Sequence, residues 1–204
     1  MGSSFGSTII YNKNGRPIYD IESKFRNILA QSNESNKALL KAFGMFMGMA
    51  GGGAMLYSTD SPWISTVEDS TISGFDVSNI GPHARHYADG FSLPVIVISV
   101  FDSDILLLAF CRPTEKPMVF ATTHNEMKNE STLLDEYEIC EEHMVFPCPF
   151  EDYATDDQLR EIQKIWQTDE VFIEDIIYKI AKILNFEIVH DNQEPVEGYI
   201  YTEV

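Results

Sequence analysis

The residues best suited to nucleophilic catalysis are three cysteines, Cys111, Cys140 and Cys148, together with five histidines. A nucleophilic thiol needs a neighbouring general base. Cys140 and His143 lie three residues apart, which would place them on one face of a helix. The surrounding segment is rich in glutamate, and negative neighbours raise the pKa of a thiol and oppose the reactive thiolate. We therefore assign no catalytic residue, and Cys111, at the end of an apolar run, is expected in the core.

Two groups of side chains have the residue types of a metal site. His83, His86 and Asp89 would share one helical turn, and the Cys and His residues of 140–148 are ligands that zinc binds tetrahedrally. Neither group has the spacing of a zinc signature, since the chain contains no CxxC pair and no HExxH. A solvated loop for the histidine pair and separate surface positions for the other group explain these residues without a metal. We assign no metal and no cofactor.

Asp102 and Asp104 stand between two apolar runs, Val95–Phe101 and Ile105–Cys111. On one continuous strand both carboxylates would point to the same face, where they could act as general acid and base or bind a hard cation. Asp and Ser also favour turns, so the pattern predicts two antiparallel strands joined at residues 102–104. A metal-dependent hydrolase using these aspartates or the histidines is kept as an alternative function.

The glycines Gly51–Gly53 invite comparison with a phosphate-binding loop, but GxxxxGK[ST], GxGxxG and GxSxG are all absent. The surrounding residues 42–57 are uncharged, yet they fall short of the ~20 that span a bilayer. A second apolar stretch, Leu93–Cys111, holds two aspartates at its centre, which would be costly in lipid. We expect the helix that begins after Asn33 or Ser35 to end at Gly51–Gly53 and to lie in the core, or alternatively to form an exposed contact surface or homodimer contact.

Charge restricts the class of partner. The chain has 14 Lys and Arg against 32 Asp and Glu, a net charge of -18. Nucleic-acid binding depends largely on cations that displace counterions, so a nucleic-acid partner is excluded, as is an anionic membrane surface. The excess is regional, because residues 131–204 hold 19 acidic and 4 basic residues.

Length and composition indicate one domain. With 204 residues, 44% of them hydrophobic, the chain can bury a sizeable core. No linker separates the acidic part from the rest, so we expect a single domain over 1–204 with an acidic flank at 131–204. The sparse cysteines and the absence of a basic, apolar leader predict a cytoplasmic protein.

Hydrophobic periodicity predicts an α+β fold with an antiparallel β-sheet meander, flanking helices, and amphipathic helices in the C-terminal third. The first strand, Ser7–Tyr11, is predicted to form a hairpin with Arg16–Ile21. Residues 71–90 show turn residues and little periodicity. Further helices are expected over 21–31 and from Asn33 or Ser35 onward, and further strands at Trp63–Val67, Met118–Thr122 and Tyr199–Val204.

Two helices are predicted in the last third of the chain. Thr155 and Gln158 match a capping box that opens a helix through Trp166. Asp169 and Glu170 suit the start of a second helix, which Asn185 would end. The apolar positions assigned to its buried face are Phe172, Ile173, Ile176, Ile177, Ile180, Ile183 and Leu184.

The acidic flank also holds aromatic residues, among them Phe146 and Phe150. Aromatic anchors amid carboxylates are typical of a protein-binding face, where the anchors supply affinity and the charges steer a basic partner. The sequence thus favours a non-enzymatic acidic binding protein, specifically an immunity or antitoxin-like inhibitor of a basic, nuclease-type toxin. A homo-oligomeric regulatory module is the main alternative. The predicted partner-binding residues are Asp135, Glu136, Tyr137, Glu138, Glu141, Glu142, Glu151, Asp152, Tyr153, Asp156 and Asp157.

Overall fold

The computed structural model of the protein describes residues 4–42, 53–68, 76–124, 138–188 and 197–204, with the side chains of these ranges except 32–42 and 68. Seven strands and four helices lie in these ranges. The strands are β1 (Phe5–Tyr11), β2 (Gly53–Tyr57), β3 (Trp63–Glu68), β4 (Val95–Phe101), β5 (Ile105–Cys111), β6 (Met118–Thr123) and β7 (Ile200–Glu203). The helices are α1 (Ile18–Ala42), α2 (Val77–Phe91), α3 (Asp156–Trp166) and α4 (Glu174–Leu184).

The strands form one sheet in the order β6-β5-β4-β1-β3-β2-β7, and all neighbours run antiparallel. Strands β4, β5 and β6 are consecutive in the chain and adjacent in the sheet, so the predicted α+β fold with a strand meander is confirmed. Strand β1 lies near the middle, between β3 and β4.

Helices cover both faces of the sheet. Phe25 of α1 and Tyr87 of α2 pack in one apolar cluster, and Trp166 of α3 and Ile177 of α4 pack in the cluster on the opposite face. Because alternate residues of a strand point to opposite faces, β5 must be apolar at every position, and all seven of its residues are buried. This double burial explains why the sequence of the meander is almost continuously hydrophobic.

The β4–β5 connection is the predicted tight turn. Asp102 (φ 48°) and Ser103 (φ 61°) both adopt left-handed backbone conformations, and the Asp104 N–H donates to the Phe101 carbonyl at 2.8 Å. Positive φ at both central residues is the requirement of a type I′ turn, which matches the twist of a hairpin. The aspartates therefore do not lie on one continuous strand.

The predicted hairpin after β1 is wrong, because Arg16–Ile21 contributes to a helix and β1 pairs with β3 and β4 instead. Proline has no N–H for a strand ladder but suits the start of a helix, and Pro17 directly precedes α1. The Asn12 amide bonds the backbone N–H and carbonyl of Arg16, which closes the turn locally. Helix α1 then continues through the predicted break at Asn33–Ser35.

The segment 71–90, which lacks an obvious pattern, contains α2. Its N-cap Asp76 accepts from the Asn79 N–H at 2.9 Å. Helix-disfavouring Pro82 and Gly81 obscure the signal. Tertiary packing overrides this weak propensity, because one face of the helix is apolar at helical spacing. Its buried residues are Ile80, Gly81, Ala84, Tyr87, Ala88 and Phe91.

The predicted helix before Gly51–Gly53 is described only as far as Ala42, the last residue of α1. Gly53–Tyr57 forms β2, with Met55 and Leu56 buried, while 43–52 lie outside the described residues. Gly53 permits a close approach, since a Cβ there would stand 2.8 Å from the Val67 carbonyl oxygen and 2.9 Å from Phe25. A strand at this place thus depends on contacts that are distant in sequence.

Candidate functional site

Charge is distributed unevenly along the described chain. Residues 138–188, which include both helices of one face, carry 13 acidic and 4 basic residues; we call this segment the acidic side. The other described side chains before it, in 4–31, 53–67 and 76–124, carry 8 acidic and 7 basic residues. The regional charge seen in the sequence is therefore retained in one described segment. That segment packs on both faces of the sheet, since Ile139 belongs to the cluster of α1 and α2 and Trp166 belongs to the opposite cluster.

Within the acidic side, the helices themselves are almost balanced. Helix α3 has three acidic and two basic residues, and α4 has two of each. The excess lies in the connections. We call residues 138–157 the first acidic stretch and residues 169–175 the second acidic stretch.

The predicted partner-binding residues belong to the first acidic stretch or directly precede it. Asp135, Glu136 and Tyr137 lie outside the described residues. The exposed ones are Glu138, Glu141, Glu142, Glu151, Asp152, Asp156 and Asp157. Their positions are held by the chain around β6, where the Ala121 N–H donates to the His143 carbonyl at 2.8 Å, and by the capping box of α3, which is present as predicted.

Two of these carboxylates already have a cationic partner. Asp152 pairs with Arg112 at 3.0 Å, and Asp157 pairs with Arg160 one helical turn away. Asp156 and Asp157 also stand in the first turn of α3, where negative charge is favoured by the helix dipole. These residues thus have structural roles beside any role in binding.

The aromatic residues of the first acidic stretch point inward. Phe150 is fully buried, and the Phe146 ring stacks on Trp166 with 4.2 Å between ring centroids. The interpretation of these two residues as surface anchors is wrong, because the sheet face needs their apolar area. Tyr153 is half-buried, 4.6 Å from the Tyr11 ring, and burial raises its pKa.

The second acidic stretch exposes apolar side chains instead. Val171 is 82% exposed and Phe172 is 52% exposed, whereas the adjacent Ile173 is fully buried. Helix α4 begins only at Glu174, so the assignment of Phe172 to its buried face is wrong. The sequence contains a signal for this exposure. Three apolar residues, 171–173, lie between two pairs of acidic residues, and so short an apolar segment can bury only some of its side chains.

Tertiary contacts join the second acidic stretch to the β4–β5 turn. The Ile173 N–H donates to the Ser103 carbonyl at 3.0 Å, and the Ser103 hydroxyl donates to Glu174 Oε1 at 2.8 Å. Glu174 is 8% exposed, and its Oε2 has no hydrogen-bond partner among the described residues. We call the combined surface the tip surface: Asp102, Asp104, Asp169, Glu170, Val171, Phe172 and Asp175.

The cysteines and histidines of 140–148 do not converge on one point. Cys140 is exposed, and its Sγ lies 3.3 Å from His143 Nδ1, which also accepts from the Cys140 N–H. Cys148 is buried, and burial raises its pKa. Throughout the described ranges, no three His, Cys, Asp or Glu side chains are arranged to hold a metal ion.

The side chains of His83 and Asp89, which the sequence placed in one candidate metal site, likewise contact different partners. His83 is partly buried, its Nε2 lies 3.2 Å from Thr8 Oγ1, and its ring stacks on Tyr87. Burial, helped by the nearby His86, lowers the pKa of His83 to about 3. Asp89 instead accepts from Arg85 and from the Thr114 N–H.

An open cleft of about 350 Å³ lies between α1 and α2. Its lining is polar apart from Ile28 and Gly90, with Lys24 and His86 among the contributing side chains. The Lys24 ammonium donates to the Phe91 carbonyl at 2.8 Å, so this cation already helps to cap α2.

Comparison of the chain with protein-family models, curated proteins and solved structures finds no match. None of the helices in the described ranges combines the length and apolar character that a bilayer crossing requires. The fold and the charge distribution are therefore what a functional interpretation can use.

Proposed function

We propose that this is a non-enzymatic binding protein that recognises a basic protein through its acidic side. The observation that carries the proposal is the 13 to 4 excess of acidic over basic residues in 138–188, against 8 acidic and 7 basic residues among the described side chains that precede it. A surface with one sign of charge accelerates encounter with a partner of opposite charge and disfavours partners of like charge.

Exposed carboxylates without cationic partners support this role. Glu141, Glu142, Glu151 and Asp156 are exposed, and none forms an ion pair with a described residue. Solubility alone accounts for some surface charge, but it does not require the charge to be concentrated in one segment of the chain. A basic surface is the complementary ligand, and nucleic-acid enzymes commonly have one.

The specific form that we propose is an immunity or antitoxin-like inhibitor of a basic, nuclease-type toxin. Such an inhibitor covers a positively charged cleft and needs no catalytic group of its own. The candidate nucleophile and metal groups discussed above serve other contacts or remain separate, which leaves binding as the better-supported role.

The test begins with the protein immobilised at low salt, exposed to lysate of its native cell and eluted with a salt gradient. The eluted partner is then purified and titrated with the protein in a nuclease assay. We expect a basic protein, bound at 1:1 stoichiometry and inhibited on binding, with affinity falling as salt screens the charges over about 8 Å. A neutral or acidic partner, or binding that is insensitive to salt, would contradict the proposal.

One observation favours the second candidate, a homo-oligomer. Within the described residues, the edge strand β7 pairs with β2 alone, and its Ile200 and Tyr201 are 49% and 42% exposed. An exposed edge strand is a template for pairing with another chain. Sedimentation equilibrium of the wild type and of Ile200→Lys tests this: a dimer that the substitution dissociates supports it, and a wild-type monomer contradicts it.

A further inference from the structure

We infer that Val171 and Phe172 are the apolar anchor of the interface, inserting into an apolar pocket rimmed by Lys or Arg on the basic partner. This inference rests on the proposed function and adds the place of contact. It moves the centre of the interface from the first acidic stretch to the tip surface.

The exposure of these two side chains is not explained by the fold. Val171 is 82% exposed, the highest value among the large hydrophobic side chains that the structure describes, and the adjacent Phe172 is 52% exposed. The core contact of this segment is already supplied by Ile173, which is fully buried. Burying a Val and a Phe side chain against a partner would remove from water an apolar area that folding leaves exposed.

The backbone that presents them is fixed at both ends. On one side, the Thr168 hydroxyl donates to the Ile165 carbonyl at 2.7 Å, and Glu170 pairs with Lys179. On the other side, Ile173 and Glu174 bond Ser103 of the β4–β5 turn. An anchor that is held in place before binding loses less conformational entropy on association, which is a property of interface hot spots.

The charges near Val171 and Phe172 indicate which kind of partner can bind there. Asp169 and Asp175 flank the apolar pair in the chain. Asp102 and Asp104 flank Ser103, which bonds the backbone of Ile173 and the side chain of Glu174. His124 lies 3.6 Å from Asp104, and Lys179 of α4 is engaged by Glu170. A second copy of this chain would bring the same carboxylates against each other. A basic partner places cations there, so charge complementarity favours a pocket with a Lys or Arg rim.

The test uses a displayed library of random dodecapeptides, selected against the wild-type protein at low salt. Enriched peptides are synthesised and their affinities measured for wild type and for the double variant Val171→Ser/Phe172→Ser. Tyr19→Ser on α1 and Val145→Ser in the first acidic stretch are matched controls, since these residues are 67% and 65% exposed. Circular dichroism and urea unfolding establish that each variant retains the fold.

We expect enriched peptides to combine two or more Lys or Arg residues with an apolar residue. The double variant should bind them at least tenfold more weakly, whereas each control should stay within twofold of wild type. Basic peptides that bind the double variant as well as wild type would overturn this inference and leave the proposed function standing. Enrichment of neutral or acidic peptides, or of none, would overturn both.

Discussion

The phenylalanines Phe150 of the first acidic stretch and Phe172 of the second have opposite side-chain directions. Both stretches alternate carboxylates with apolar residues, yet Phe150 in the first is buried in the core, while Phe172 in the second faces solvent. The difference arises from what lies beneath each stretch. In the first, Phe150 packs in the cluster that includes Trp166 of α3, whereas in the second Ile173 supplies the apolar contact with that cluster and Phe172 stays in solvent. Composition by itself therefore does not identify a binding anchor.

The largest expected difference is in the free energy of unfolding, when Phe150 and Phe172 are each replaced by alanine. We expect Phe150→Ala to lower the free energy of unfolding by about 3–5 kcal/mol, because it leaves a cavity in the core. Phe172→Ala should change it by less than about 0.5 kcal/mol, as is usual for exposed positions. Urea unfolding of both variants measures this, and equal losses would remove the distinction between the two stretches.

Outside the acidic side, the buried imidazole of His83 should make stability depend on pH. His83 has its pKa lowered from 6.5 to about 3, so below pH 6.5 the unfolded chain binds a proton that the folded chain does not. Stability should therefore fall as the pH decreases from 6.5 towards 3, by an amount on the order of a few kcal/mol. His83→Gln should flatten the unfolding free energy over this window, whereas His86→Gln removes only the smaller cause of the lowered His83 pKa and should leave most of the slope. An unchanged slope in His83→Gln would contradict the prediction.

The two cysteines of the first acidic stretch should differ in alkylation rate. Cys140 is exposed with the His143 imidazole 3.3 Å away, whereas Cys148 is buried and its pKa is raised by burial. Because the thiolate is the reacting form, we expect iodoacetamide to modify Cys140 about a hundredfold faster at pH 7.5. Mass spectrometry of timed samples resolves the two sites. Comparable rates would show that the first stretch opens readily, and His143→Asn tests whether the imidazole contributes.

The smallest effect should come from reversing charge in the first acidic stretch. Replacing Glu141, Glu142, Asp156 and Asp157 with Lys should slow association with a basic partner by about tenfold at low salt, because these charges steer encounter without anchoring it. The dissociation rate should change little. Stopped-flow measurements at two salt concentrations provide the test, with the four corresponding Asn and Gln substitutions as control. A larger effect on dissociation would place the anchor in the first stretch.

Local patterns predicted a substantial part of the fold. The meander β4–β6 and its turn followed from continuous apolar runs interrupted by Asp-Ser-Asp, and the cap of α3 followed from Thr155 and Gln158. Helix α2 was missed because Pro82 and Gly81 weaken its signal, and the false hairpin came from a turn that leads into a helix. Contacts between residues distant in sequence also hold these elements, as with the Arg16 guanidinium, which bonds the Phe91 and Ser92 carbonyls.

The candidate site could be predicted only in part, because the sequence determines charge but not the direction of each side chain. Net charge and its concentration after residue 131 are properties of composition, so the sequence by itself determined that the chain carries an acidic flank and a doubly buried central meander. The directions of Phe150, Phe172 and Val171, and the union of residues 102–104 with 168–175, were decided only by the tertiary structure. Burial is set by which surfaces the elements cover when they pack, and hydrogen bonds such as Ile173 to Ser103 join residues that no local pattern links.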